Sequence, residues 1–273
     1  VHQPEAPFMS ESLDSNLSPV EVKSWFVRER NVLLARAKFS PLYVDYYLHL
    51  IQHGIRYEES ADLMLKEALA AMTLHLCSRP QDETCAWTIN LQEPLMNLFV
   101  TGGSRPGRVT GRIFTEDVKK ADTDLFISQT SRPDHQTRQS VVAFQGTDLF
   151  VAAELFYQQS EQRPTRLFRL PDEEFWMFTA QPDCDLPWLE GLTDEHMPEI
   201  ERVEKLSLLE TRFYGFECGC SVDRLYPLLT RLPADDLAEI FSDGYAKITC
   251  PRCAAVFNTP KSHFEDWQRS AAS

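Results

Sequence analysis

Phe216-Glu217-Cys218-Gly219-Cys220-Ser221 and, further on, Thr249-Cys250-Pro251-Arg252-Cys253 decide how this chain is read. The pattern is C-x-C followed by C-x-x-C, two close thiol pairs with enough chain between them to build a small module. Four thiolates that converge make a closed tetrahedral site, and sulfur ligands suit zinc. Gly219 and Pro251 lie inside the pairs, where a tight turn has to aim two side chains at one ion. Four protein ligands leave no open position for a substrate water, so the predicted role is structural rather than catalytic. Tyr245–Thr249 before the second pair and Ala254–Phe257 after it both read as strands, which is zinc-ribbon geometry. A redox dithiol at Cys250 and Cys253 is the competing reading, but it calls for a strand before and a helix after.

Composition bounds the rest. With 273 residues, 43% of them apolar and 11% aromatic, the chain is globular and long enough for one large domain and a small one. A net charge of −14 argues against nucleic acid or an anionic membrane as partner, although a zinc ribbon alone suggests nucleic acid. Seven unevenly spread cysteines do not form a secreted disulfide framework. The sequence shows no apolar run of bilayer length and no signal peptide, so the expected compartment is the cytoplasm.

Taken in order, residues 1–19 read as a flexible tail, with Met9 a plausible start. Alternating apolar positions after Arg30 suggest a strand. Ser40-Pro41 predicts a helix start and Gly54 its end; a second helix, about 58–76, carries Ala68, Ala70 and Ala71 for close packing. From Cys85 the period becomes two, giving strands around Trp87–Leu91, Leu95–Val100, Val109–Ile113, Leu125–Ser128 and Val141–Phe144. Gly102-Gly103 and Gly107 mark a hairpin turn, and Thr101–Gly107 lacks the Lys-Ser/Thr of a phosphate loop. A helix opening near Gly146-Thr147 and strands Arg166–Leu170 and Phe175–Thr179 complete the pattern.

The fold class is therefore α+β: an N-terminal helix-and-sheet domain over 20–180, a helical linker over 181–213 and a small zinc-binding module over 214–273. Within the acidic, proline-interrupted linker, Ile200, Val203, Leu206, Leu209 and Phe213 recur at helical intervals and define an apolar face, a candidate client-binding surface. His49 and His53 form an i, i+4 pair without the intervening Glu of a zinc protease, so they read as packing residues. Cys77 and Cys85 read as small apolar groups, and Cys184 as a linker thiol open to side oxidation. No spacing argues for a Ser/His/Asp or paired-carboxylate site; no catalytic residue is assigned and the chain is not read as an enzyme.

Together these stretches resemble the heat shock protein 33 family of redox-regulated chaperones. The resemblance is carried by Phe216–Arg224, Leu232–Ile240, Asp243-Gly244 and Cys250–Cys253, and independently by Tyr157–Phe168. Leu91-Gln92, Pro94–Leu98 and Gly111-Arg112 resemble the same family's sheet. It implies an ATP-independent holdase for unfolded or aggregation-prone clients, inactive when reduced and zinc-bound through Cys218, Cys220, Cys250 and Cys253. It further implies that oxidants convert these four into two disulfides and release the one zinc per chain, that module and linker then unfold, and that the active form dimerises. The linker is shorter than the family's usual one, which leaves a constitutively active chaperone with purely structural zinc as one alternative; a thiol–disulfide oxidoreductase using Cys250 and Cys253 is another.

Overall fold

The computed structural model describes residues 19–271; of the predicted tail, 1–18 lie outside them. Among the described residues the strands are β1 (Val20–Val27), β2 (Val32–Lys38), β3 (Thr84–Gln92), β4 (Leu95–Ser104), β5 (Gly107–Phe114), β6 (Asp124–Ser131), β7 (Arg138–Phe144), β8 (Thr165–Leu170), β9 (Glu174–Ala180), β10 (Leu206–Phe216), β11 (Tyr245–Thr249) and β12 (Val256–Pro260). The helices are α1 (Ser40–His53), α2 (Glu59–Cys77), α3 (Leu149–Phe156), α4 (Leu186–Glu190), α5 (Ile200–Val203), α6 (Val222–Leu229), α7 (Ala234–Ile240) and α8 (Lys261–Ala271).

Ten strands make one sheet, in the order β7-β6-β3-β4-β5-β10-β1-β2-β9-β8. Its neighbours are antiparallel except at the centre, where β10 runs parallel to β5. That seam is short: Gly215 faces Arg108 and Phe216 faces Val109. Gly107 makes the approach possible, because a Cβ there would overlap the carbonyl oxygen of Phe213.

Period-two patterning sorts side chains to the two faces. On β2, Ala35 and Ala37 join one cluster and Val32 and Leu34 another; on β9, Phe175 and Met177 part in the same way from Trp176 and Phe178. The first cluster lies under α1, α2 and α3, and α2 is buried almost continuously from Leu65 to Cys77. Helices that are apolar all round belong in a core, and this one spans the seam, packing on β4 and β5 as well as β2 and β9. The second cluster is closed by Leu189, Leu192, Met197 and Ile200, which cover β1, β2, β9 and β8.

Two local expectations change. Residue Ser40 is the first helical position of α1, not its cap, and its hydroxyl makes no capping bond. More consequentially, 206–213 is not helical. Leu206–Phe216 is a strand paired with β1 along its length, so the stretch read as the end of a linker is a central strand of the sheet. The helical spacing of Ile200, Val203, Leu206, Leu209 and Phe213 is a coincidence of Leu placement. Strand pairing overrides it, and Thr211, Phe213, Tyr214 and Phe216 favour the extended form. Only the short α4, a 3₁₀ turn at Asp194–Glu199 and α5 are helical between 181 and 213.

Candidate metal centre

Beyond β10 the chain builds a third cluster from Leu225, Tyr226 and Leu229 of α6, Phe241, Ile248 of β11 and Phe264 of α8. Phe264 and Trp267 stack, and Tyr226 meets both at an angle, with its hydroxyl donating to or accepting from Thr259 Oγ1 at 2.5 Å. The hairpin β11–β12 brackets Cys250–Cys253, with Thr249 facing Val256. Its turn is closed by Cys250 N–H donating to the Ala255 carbonyl (2.8 Å) and Ala254 N–H to the Cys250 carbonyl (3.0 Å). Cys218 and Cys220 arrive from the end of β10, with Gly219 between them at φ 63°, a left-handed conformation suited to glycine.

The four predicted sulfurs meet. Sγ atoms of Cys218, Cys220, Cys250 and Cys253 lie within 4.8 Å of one another, with Cys218 to Cys250 at 3.7 Å and Cys220 to Cys253 at 3.5 Å. Cys250 and Cys253 are buried; Cys218 and Cys220 are half-buried. Hydrogen bonds among the four sulfurs push the Cys250 and Cys220 thiols down and those of Cys218 and Cys253 up, so the four share their protons as one group. Such a crowd of sulfur donors can hold a metal ion. Strands on both sides of Cys250–Cys253 also differ from the strand-then-helix setting that a redox dithiol calls for.

Sequence reasoning missed how this centre is tied to the sheet domain. Arg112 of β5 donates from Nη1 to the Cys250 carbonyl at 2.9 Å, and His49 of α1 contacts the Cys253 carbonyl at 2.9 Å. A carbonyl only accepts, so His49 Nε2 carries the proton; burial pushes its pKa down and keeps the ring neutral. His53 meets Phe257, and Arg108 pairs with Glu217 at 2.7 Å. The His49/His53 spacing was visible in sequence, but nothing local says that a helix turn faces a knuckle two hundred residues away.

The remaining candidates disperse. Ile200 is buried in the second cluster and Leu206 packs against it, whereas Val203, Leu209 and Phe213 are exposed. The five therefore do not share one face. Leu208, also exposed, joins them as an apolar side chain of β10. Cys77 and Cys85 are buried, their thiols pushed up to about 12 and about 11 by desolvation, which keeps them inert. Cys184 packs at the margin of the second cluster, its thiol raised chiefly by burial.

A sequence profile described as Hsp33 protein matches residues 185–259, which span the thiol pairs and the segment before them. Among curated relatives, the 33 kDa chaperonin of Edwardsiella ictaluri is 25% identical over 234 residues, covering 74% of this chain and 80% of its own. That of Aliivibrio salmonicida is 25% identical over 248 residues, covering 78% and 84%. The chain is similar to the Hsp33 family. Its fold is that of Hsp33 as well: the crystal structure of the 33 kDa chaperonin (heat shock protein 33 homolog) of Thermotoga maritima superposes with a TM-score of 0.70 at 13% identity, over 93% of this chain and 99% of the other. No helix among the described residues is long and apolar enough to cross a membrane.

Proposed function

We propose that this chain is a member of the Hsp33 family and an ATP-independent holdase whose client binding is controlled by a four-thiol zinc centre. The observation that carries the reading is the mutual approach of the four sulfurs. A tetrahedron with zinc–sulfur bonds of ~2.3 Å has sulfur edges of ~3.8 Å, and the contacts of 3.7 and 3.5 Å lie just inside that spacing. Cys218, Cys220, Cys250 and Cys253 would hold the ion, and their all-sulfur chemistry fits zinc. When bound, zinc keeps the four sulfurs deprotonated and ties the two ends of the module together.

The redox step proceeds in balance. Each disulfide forms one S–S bond from two thiolates and releases two electrons; one peroxide takes them with two protons and leaves as two waters. Two such events use all four sulfurs, leave no ligand for the cation and open the turn whose carbonyls Arg112 and His49 grip. The module's own cluster is small, and domains of its size are marginal without a metal. Val203, Leu208, Leu209 and Phe213 are the exposed apolar side chains proposed to meet clients.

Zinc release and thiol loss, counted under peroxide with mild heat, test this beside the aggregation of a chemically denatured client. Release of one zinc with suppressed aggregation is expected. Zinc lost while aggregation proceeds untouched excludes the switch. Double substitution Leu209→Ser with Phe213→Ser should weaken suppression and leave zinc content unchanged.

One feature favours a second reading, a chaperone active at all times with structural zinc. The cover at Leu189–Ile200 packs on the second cluster, which shares no residue with the module's own cluster. In that case fully reduced protein suppresses aggregation as well as oxidised protein does.

A further inference from the structure

We propose that the outer edge of β5, from Thr110 to Phe114, is a strand-addition site for an extended apolar segment of an unfolded polypeptide, closed by the thiol module until the module leaves. This rests on the chaperone reading above and names the surface it uses.

On one side β5 pairs with β4 from Gly107 opposite Ser104 to Phe114 opposite Asn97. On the other, pairing with β10 stops after Val109. Backbone directions beyond that point follow from two bonds. The Val109 carbonyl accepts from Glu217 N–H at 3.0 Å, and the Ile113 amide reaches the Tyr57 hydroxyl at 3.4 Å. Residues 109, 111 and 113 therefore direct their backbone polar groups away from β4. A continuing parallel strand would meet Gly111 next. The chain instead leaves the ladder at Cys218, and among the described residues no strand takes up the place beside Gly111 and Ile113.

The Tyr57 hydroxyl takes the Ile113 amide, and the knuckle lies over the rest of this edge. It is gripped from both faces of the sheet, by His49 on the helical side and by Arg112 on the other. Pro251 and Arg252 form one wall of a cleft of about 780 Å³, and Phe99, Arg112 and Phe114 form the other. Native sheets cover such edges because unpaired N–H and C=O groups recruit any extended chain. Main-chain pairing gives affinity with little demand on sequence, and alternate apolar side chains would rest on Phe99 and Phe114. Those are the properties needed to hold clients of many sequences. The cover is also the turn whose shape depends on four thiols meeting, so loss of that shape and exposure of the edge are one event.

Full-length protein carrying a photoreactive benzoylphenylalanine in place of Phe114 tests the assignment, with reduced, carboxymethylated α-lactalbumin as the unfolded probe. A second variant carries the group in place of Val141, which is exposed on the outermost strand β7. The expected result is crosslinking at 114 after peroxide treatment and none in the reduced protein, with little at 141 in either state. In the unsubstituted chain, amide exchange at Gly111 should quicken on oxidation and slow again by about tenfold or more when the probe is added. Aggregation suppressed without crosslinking at 114 and without that protection would overturn the β5 assignment and leave the chaperone reading standing. An oxidised protein that suppresses nothing removes both.

Discussion

Arg112 Nη1 and the carbonyl oxygen of Cys250 lie 2.9 Å apart, so the sheet domain touches the thiol centre through the backbone of one of its four cysteines. The same guanidinium stacks over Phe114 at 4.0 Å, and the Cys250 carbonyl accepts a second bond from the Ala254 amide. A hydrogen bond from a charged donor contributes ~1.5–3 kcal/mol. Arg112→Ala should therefore raise amide exchange across Tyr245–Pro260 in the reduced, zinc-loaded protein by about tenfold or more. Zinc release by peroxide should quicken, while β8 and β9 exchange as before. Unchanged exchange in the hairpin would mean that the contact does not hold the module.

Removing the metal should melt the module and spare the sheet. Structural zinc contributes ~10–16 kcal/mol to small modules, about as much as the whole stability of an ordinary domain at ~5–15 kcal/mol. Chelation, or Cys253→Ser, is expected to abolish the near-ultraviolet signal of Tyr226 and Trp267 and expose 218–264 to protease. Residues 20–180 should stay resistant. A module that keeps its signal after complete chelation would show that the cluster around Tyr226 and Phe264 suffices by itself.

His75 sets a pH dependence within the sheet domain. It is buried against Trp87, with Nδ1 2.5 Å from the Tyr157 hydroxyl, and desolvation followed by Arg79 and Arg163 depresses its pKa well below the ordinary value. The unfolded chain binds a proton near pH 6.5 that the folded chain refuses, so stability is full above that pH and falls as pH drops. The slope from this one group approaches ~1.4 kcal/mol per pH unit. Glu154, whose carboxyl is raised by burial, pulls the opposite way only at more acid pH. Urea midpoints between pH 7.5 and 5.5 should fall for the native chain and flatten in His75→Gln. A midpoint that rises on acidification would reverse the assignment.

Gly107 tests the seam. A methyl group there meets the Phe213 carbonyl, so Gly107→Ala must push β10 away from β5. Overpacking of this kind costs ~1–3 kcal/mol. Because Glu217 and Cys218 follow β10 directly, the variant should also weaken zinc retention, measured by competition with a chromogenic chelator. A loss of urea stability with retention unchanged would separate the seam from the metal centre.

Much of this was legible in the chain. Alternation gave β3 through β9, and glycine with proline gave the ends of α1, because both signals are local; Gly102 and Gly103, read as part of a turn, are instead paired residues of β4, and the turn is Arg105-Pro106. The thiol pairs were readable for the same reason: C-x-C and C-x-x-C each constrain a single turn. What failed was β10. Its leucines satisfy a helical template, and only pairing with β1 and the short seam with β5 selects the strand. His49 and Arg112 were invisible as partners of the centre, since their meaning depends on a fold that brings 49, 112 and 250 together.

The second and third clusters share no residue and lie in different parts of the molecule, one beneath Leu189–Ile200 and the other around Tyr226. On the proposed reading, heat would loosen the cluster beneath Leu189–Ile200 while the thiols stay reduced, and an oxidant would loosen the one around Tyr226 while the chain stays cool. Two kinds of damage, thermal and chemical, would then have separate entry points into this protein, and calorimetry of the reduced form should resolve the two clusters as two transitions.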